Sequence, residues 1–302
     1  MLINNKKIIV TGAGGLIGSY AIERLHQSGY EVLGLYHQQT SKNTAWPIGI
    51  IDLAKEDLKR VTGSHSIDAI VHCAAVIPKS FSECGDVYLI NKNIDDNVLN
   101  YIRQSEARLI YVSSTSLYGK KEGVIKERDA VDLTNAYSIG KYETEQTILK
   151  ENLQSVILRI NAPYAPQQRM NTVLKIFIER ALQNLPLQFH GTGQRKQDFT
   201  AAEDIAIAIE KCVEKKNIVD VFNISGGHSV SMKELAKIIV GLTPNCSSQI
   251  NPSGLPDEQE NYQPVFSIEK AKTILSWQPQ VQLEAGIKKW INYLSDENRD
   301  HF

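Results

Sequence analysis

The sequence predicts an α/β protein: a doubly wound parallel sheet followed by a smaller C-terminal α/β region. Three observations predict it. Short β-branched runs alternate with segments of helical length, the runs are apolar almost throughout, and a glycine-rich loop joins the first run to the first helix. Strands that are apolar at every position are buried on both faces, as in a parallel sheet covered by helices.

The elements follow in order. Lys7-Ile8-Ile9-Val10 is the first strand and stops at Thr11-Gly12. Ile17, Tyr20, Ala21 and Leu25 then fall on one helical face, and Gly29 ends that helix. Val32 to Leu35, Asp68 to Cys73, Leu109 to Val112 and Val156 to Leu158 read as further strands. Helical patterns lie between them at Val87 to Arg103 and Tyr137 to Asn152. From about residue 165 the texture changes. A turn at Gly191-Thr192-Gly193 precedes a helix near Ala202 to Lys215 and a strand at Val221 to Ile224. Thr243 to Pro264, rich in Pro, Asn, Ser and Gly, reads as an irregular loop, and Leu283 to Leu294 as an amphipathic helix.

Composition excludes several classes of function. Lys and Arg total 33 against 34 for Asp and Glu, a net charge of −1, so neither nucleic acid nor an anionic membrane is expected as a partner. Cys73, Cys84, Cys212 and Cys246 form no C-x-x-C pair and the seven histidines no H-x₃-H pair, so no metal is expected. Unpaired thiols suit a cytoplasmic protein. The strand pattern begins at Lys6, which leaves no room for a secretory signal, and no apolar run approaches the ~18 residues of a spanning helix.

Gly12, Gly15 and Gly18 sit three apart between a strand and a helix. One glycine makes the tight turn, one lets a diphosphate approach the backbone, and one lets helix pack on strand. The N–H groups at the helix start, at Leu16 and Ile17, would face the phosphates. This is the pattern of a Rossmann-type NAD(P) site. Residues 1–165 are expected to form the nucleotide-binding domain, its sheet completed by part of 195–230, and residues 166–302 mainly a substrate-binding region. The second strand ends in Tyr36-His37, with no acid until Asp52. His37 and Lys42 could neutralise a 2′-phosphate, so the expectation leans to NADP, with NAD left open.

Tyr137 and Lys141, four apart in a helix, share one face. A lysine ammonium beside a phenol favours phenolate, which equips the tyrosine to exchange protons with a substrate hydroxyl or carbonyl. Upstream, the strand Leu109 to Val112 runs into Ser113-Ser114-Thr115-Ser116. Hydroxyls at the carboxyl end of a parallel strand face the crevice where ligands bind.

Taken together, the chain resembles the extended short-chain dehydrogenase/reductases, in particular the NAD-dependent epimerase/dehydratase family. Thr11 to Gly18 matches TGxxGxxG, and Asp52-Leu53 the pair that commonly contacts the adenine. His72-Cys73-Ala74-Ala75 resembles the H-x-A-A strand end beside the cofactor, and Asn91 the helix asparagine that supports the site. Ser113 to Gly119 resembles SSxxxYG, with Ser114 at the catalytic Ser/Thr, and Tyr137 and Lys141 match YxxxK. Leu158 to Pro166 resembles LRxxNxYGP, with Asn161 among the matches and Ala165 replacing the usual glycine. Gln197-Asp198-Phe199 with Glu203-Asp204-Ile205-Ala206 resembles RDF…DDxA.

The resemblance implies hydride transfer between a nicotinamide and a sugar carbon, with Tyr137 as general acid/base, Lys141 tuning it and holding the ribose, and Ser114 bonding the reacting oxygen. It implies a nucleotide-sugar substrate, met by Ser114, Thr115, Ser116, Asn161 and Arg195, and a homodimer joined through the helices at Val87–Arg103 and Tyr137–Asn152. Departures narrow the chemistry. Thr115-Ser116 stand where dehydratases have Asp-Glu, which disfavours dehydration. Gln197 stands where an arginine often binds the diphosphate, with Arg195 and Lys196 nearby. Epimerisation and 4-keto reduction at the sugar C4 both fit. A reductase of non-nucleotide ketones or aldehydes and a non-catalytic NAD(P)-binding sensor or scaffold are the alternatives.

Overall fold

The computed structural model describes residues 4–39, 44–63, 66–77 and 84–297. Strands β1 (Asn4–Thr11), β2 (Tyr30–Tyr36), β3 (Ile48–Ile50), β4 (Ala69–His72) and β5 (Arg108–Ser114) join Ser155–Ile160 and Asp220–Ile224 in one sheet of seven strands. The spatial order is Asp220–Ile224, Ser155–Ile160, β5, β4, β1, β2, β3, and each neighbouring pair is parallel. The strand Asp220–Ile224, from the region expected to complete the sheet, lies at its edge.

The unbroken apolar runs have a direct structural reading. Successive side chains on a strand point to opposite faces. Ile8, Val10, Val71, Ile110 and Val156 feed one core, shared with Ala21, Ile22 and Leu25 of α1 (Leu16–Gln27) and with Ile205, Ala208 and Ile209 of the helix Ala202–Glu214. Ile9, Ile70, Leu109, Tyr111 and Ile157 feed the other. After the short helix α2 (Lys59–Thr62), that second core is closed by α3 (Cys84–Arg103) and by Ile148 of α4 (Ala136–Lys150). A third core joins the helices Val173–Leu182, Met232–Leu242 and Leu283–Glu297 around Phe177, Leu235 and Trp290.

Two sequence expectations change. In α1 the buried face is Gly18, Ala21, Ile22 and Leu25, while Ile17 and Tyr20 are half-buried. The cause is Gly18: a Cβ there would overlap the Gly12 carbonyl, so the helix lies directly on the loop. In the stretch read as an irregular loop, Ile250–Pro252 forms a strand, parallel to Leu187–Phe189. Gly29 follows the last turn of α1 at φ +83°, a left-handed conformation that suits glycine as a helix stop. Among the described residues no helix is long and apolar enough to cross a membrane.

Candidate active site

The order of the strands reverses between β1 and β4, and ligands of such sheets bind beyond the carboxyl ends at that point. Thr11 of β1 lies in register with both Leu35 of β2 and His72 of β4. The glycine loop starts there. Gly12 has φ +64°, and a Cβ on it would stand 2.8 Å from Ala74 Cα. Gly15 N–H closes the turn on the Gly12 carbonyl at 2.8 Å. Gly15 is also the N-cap of α1; it supplies no side-chain cap, and the first turn carries no acid. The N–H groups of Leu16 and Ile17, orphaned by helix geometry, therefore open the positive end of the helix dipole to an anion. A Cβ on Gly15 would meet only the Gly12 oxygen, at 3.2 Å. Protein packing thus requires glycine at 12 and 18 much more than at 15. This cradle fits the diphosphate of a dinucleotide.

Around the loop, the Tyr36 ring packs on Gly14, where a Cβ would stand 3.0 Å away. His37 Nδ1 is 3.8 Å from Asp52 Oδ1, and Lys55 Nζ is 3.0 Å from Asp52 Oδ2. The histidine offered for a 2′-phosphate thus already faces a carboxylate; Lys42 lies outside the described residues. Leu53 is buried in the second core. Past β4, Ala74 N–H bonds the Thr11 hydroxyl at 3.2 Å, and Ala75 is half-buried beside it. Asn91 of α3 accepts from Val76 N–H at 2.7 Å and donates to Val76 O at 2.8 Å. Both ends of its amide clamp the loop that carries Ala74 and Ala75.

The second half of the crevice is built by β5 and α4. Ser114 ends β5 half-buried and caps the 3₁₀ turn Thr115–Tyr118, its oxygen accepting from Ser116 N–H at 3.1 Å. Ser116 Oγ is enclosed, with no hydrogen-bond partner among the described residues. Thr115 and Asn161, expected to meet substrate, are buried and bonded to each other at 3.0 Å, and Asn161 donates to Asp198 O at 2.8 Å. Arg195 Nε pairs with Asp257 at 2.9 Å and Nη1 bonds Gln197 at 3.4 Å, so its charge is matched within the protein. Asp257 is a partner that the sequence reading missed, since 62 residues separate it from Arg195.

Asn135 caps α4 by a reciprocal box with Ser138, which starts the helix immediately before Tyr137. Lys141 is buried one turn on, donates to Val112 O at 3.1 Å, and stands 4.5 Å from the centre of the Tyr111 ring. Burial pushes the Tyr137 phenol above its ordinary pKa, Lys141 pulls it down, and Asp95 pushes it up. The arrangement can hold a dinucleotide on one side of the crevice and move a proton on the other. Fold and site together define a Rossmann-type dinucleotide-binding enzyme.

The model of the NAD dependent epimerase/dehydratase family matches residues 8–225, and the chain belongs to that family. It is 28% identical to a putative UDP-glucose 4-epimerase of Methanocaldococcus jannaschii, over 97% of this chain and 99% of that one. It is 26% identical to a dTDP-4-dehydro-6-deoxyglucose reductase of Escherichia coli, over 78% of each. Among solved structures, the UDP-glucuronic acid 4-epimerase of Bacillus cereus, in complex with UDP-glucuronic acid and NAD, superposes with a TM-score of 0.85 at 26% identity, over 96% of this chain and 99% of that one.

Proposed function

We propose that this chain is an NAD-dependent enzyme acting on a sugar nucleotide by oxidation and reduction at C4, with 4-epimerisation as its reaction. The observation that carries the reading is the bond from Lys141 Nζ, one turn along α4 from Tyr137, to Val112 O of β5 at 3.1 Å, two residues before Ser114, beside a glycine cradle with an uncapped helix N-terminus. The relatives named above support the sugar nucleotide, and a 4-keto reductase is the second reading, favoured by the similarity to the Escherichia coli reductase.

Gly12, Gly15, Leu16, Ile17 and Gly18 would hold the diphosphate, Asp52 and Leu53 the adenosine end, and Ala74, Ala75 and Lys141 the nicotinamide end. Bound NAD would supply the hydride acceptor and donor. Tyr137 takes the proton of the C4 hydroxyl and gives it back when the ketone is reduced. Lys141 stabilises the phenolate while it holds no proton. Ser114 donates to the C4 oxygen and polarises the ketone. NAD is preferred to NADP because His37, offered for a 2′-phosphate, already faces Asp52, and because the similar Bacillus cereus structure holds NAD. We read residues 1–165 with the strand Asp220–Ile224 as the dinucleotide domain, the remainder as the substrate region, and the protein as a cytoplasmic homodimer through α3 and α4. The exposed Leu89 and Ile90 of α3 support such a contact.

The test is Tyr137→Phe, assayed for interconversion of UDP-glucose, UDP-glucuronic acid and dTDP-sugar 4-epimers with added NAD. The variant is expected to bind NAD as the parent does and to lose turnover by about 10²-fold or more. Retained turnover removes Tyr137 from the role assigned to it.

A further inference from the structure

Under the site, α3 contributes a carboxylate that the scheme above does not use. Asp95 is only 3% exposed. Its Oδ1 is 2.9 Å from His72 Nε2, and its Oδ2 accepts from the Tyr111 hydroxyl at 2.6 Å and the Thr144 hydroxyl at 2.8 Å. An ionised carboxylate only accepts, so Nε2 of His72 carries the proton. Nδ1 of the same ring lies 2.7 Å from the Thr11 hydroxyl, whose oxygen accepts from Ala74 N–H at 3.2 Å. One line of hydrogen bonds therefore runs from the end of β1, through β4, to α3, and from there into β5 and α4.

The line ends at the Tyr–Lys pair. The Tyr111 ring that gives its hydroxyl to Asp95 carries the Lys141 ammonium on its face, 4.5 Å from the ring centre. Thr144, the other donor to Oδ2, lies on α4 one turn beyond Lys141. Lys141 is the lysine whose charge acts on the Asp95 carboxylate, beside the hydrogen bonds from His72 and Tyr111.

We propose that Asp95 is a positioning residue: through Tyr111 and Thr144 it fixes Lys141 in the crevice, and by its charge it limits how far Lys141 stabilises the Tyr137 phenolate. The groups that face the pair are Asp95 from α3, Tyr111 from β5, and His72 and Cys73 at the end of β4. Burial pushes the Asp95 carboxyl up, but Lys141, His72 and Tyr111 outweigh it and bring it to about 2, so the charge persists at every working pH. Burial pushes the Cys73 thiol up to about 12 and Tyr111 well above the ordinary phenol range, so neither adds a charge.

The inference rests on Tyr137 as the acid–base group, and its readout does not require turnover. The Tyr137 phenolate midpoint is measured by ¹³C-tyrosine NMR on the full chain, with and without NAD, using Tyr137→Phe to assign the signal. Asp95→Asn keeps the shape and removes the charge; the midpoint is expected to fall by about one pH unit, and the acid limb of the rate profile with it. Thr144→Val leaves Asp95 ionised with one donor fewer; its midpoint is expected to rise by a few tenths of a unit. An unmoved midpoint in a folded Asp95→Asn protein that still binds NAD overturns the proposal. Should Asp95→Asn not fold, Thr144→Val decides alone: a rise supports the proposal, and no change or a fall overturns it. If Tyr137→Phe keeps full turnover, the acid–base reading fails while the titration still reads the influence of Asp95.

Discussion

Arg159 Nη2 lies 2.6 Å from Glu145 Oε2, and both side chains are almost wholly buried. The pair joins the strand Ser155–Ile160 to α4. Ser113 donates to the same carboxylate at 2.5 Å, and Arg159 Nη1 bonds the Tyr118 oxygen at 2.7 Å. Glu145 therefore ties together the elements that carry Ser114 and Tyr137. Removing one partner of a buried pair strands the other charge, which costs about 3–5 kcal/mol. Glu145→Ala is expected to lower unfolding stability by that amount in a urea titration. A midpoint within error of the parent would show that the guanidinium finds water in the variant.

The glycine loop separates folding from binding. A Cβ on Gly18 would overlap the Gly12 carbonyl, whereas on Gly15 it would meet only that oxygen at 3.2 Å. Gly18→Ala is thus expected to lower the thermal midpoint, because helix and loop must move apart. Gly15→Ala is expected to keep the midpoint of the cofactor-free protein and weaken NAD binding by about tenfold or more, its methyl lying where the diphosphate would approach. Calorimetry and fluorescence titration of the two variants read these separately; equal loss of stability in both would contradict the assignment of Gly15 to the ligand.

Much of this was legible in the sequence because it is local. The glycine spacing, the strand-end serines and the four-residue step from Tyr137 to Lys141 each lie within one loop or one helix. Tertiary neighbours were not legible. His72, Asp95, Tyr111 and Thr144 come from four elements, and only the sheet order brings them together. The same holds for Arg195 and Thr115, both expected to meet substrate: Arg195 is paired with Asp257, and the Thr115 hydroxyl is bonded to Asn161. The burial of Ile22 in place of Ile17 follows from the contact at Gly18, which helical periodicity does not encode.

Lys141 also makes a signed prediction about rate. Its charge is what lowers the Tyr137 phenol against the effect of burial and of Asp95. In Lys141→Met the phenol becomes less acidic, so the pH at which half the enzyme carries phenolate rises. The acid limb of kcat is expected to move up by about one unit or more, with at least about a tenfold loss at neutral pH. A profile that drops uniformly, with its limb in place, would mean that Lys141 serves the ribose alone.

Asp198 gives the fold a pH dependence of its own. Its Oδ2 accepts from Ser225 at 2.7 Å and Gly227 N–H at 2.9 Å, while Oδ1 is enclosed beside Gly226. Burial pushes its carboxyl up to about 6 despite those bonds. The folded protein therefore keeps a proton that the unfolded chain releases near pH 4, the ordinary carboxylate value. A raised folded-state pKa contributes stability that is fully present below the unfolded value and lost as pH rises through the folded one. The window is about pH 4 to 6, and two units correspond to about 3 kcal/mol at most. Asp198→Asn cannot titrate, so the stability of the parent relative to the variant is expected to improve as pH falls from 7 to 5. Thermal midpoints of both proteins across that range test the sign, and a difference that stays constant would place the Asp198 carboxyl in a wetter setting than its burial indicates.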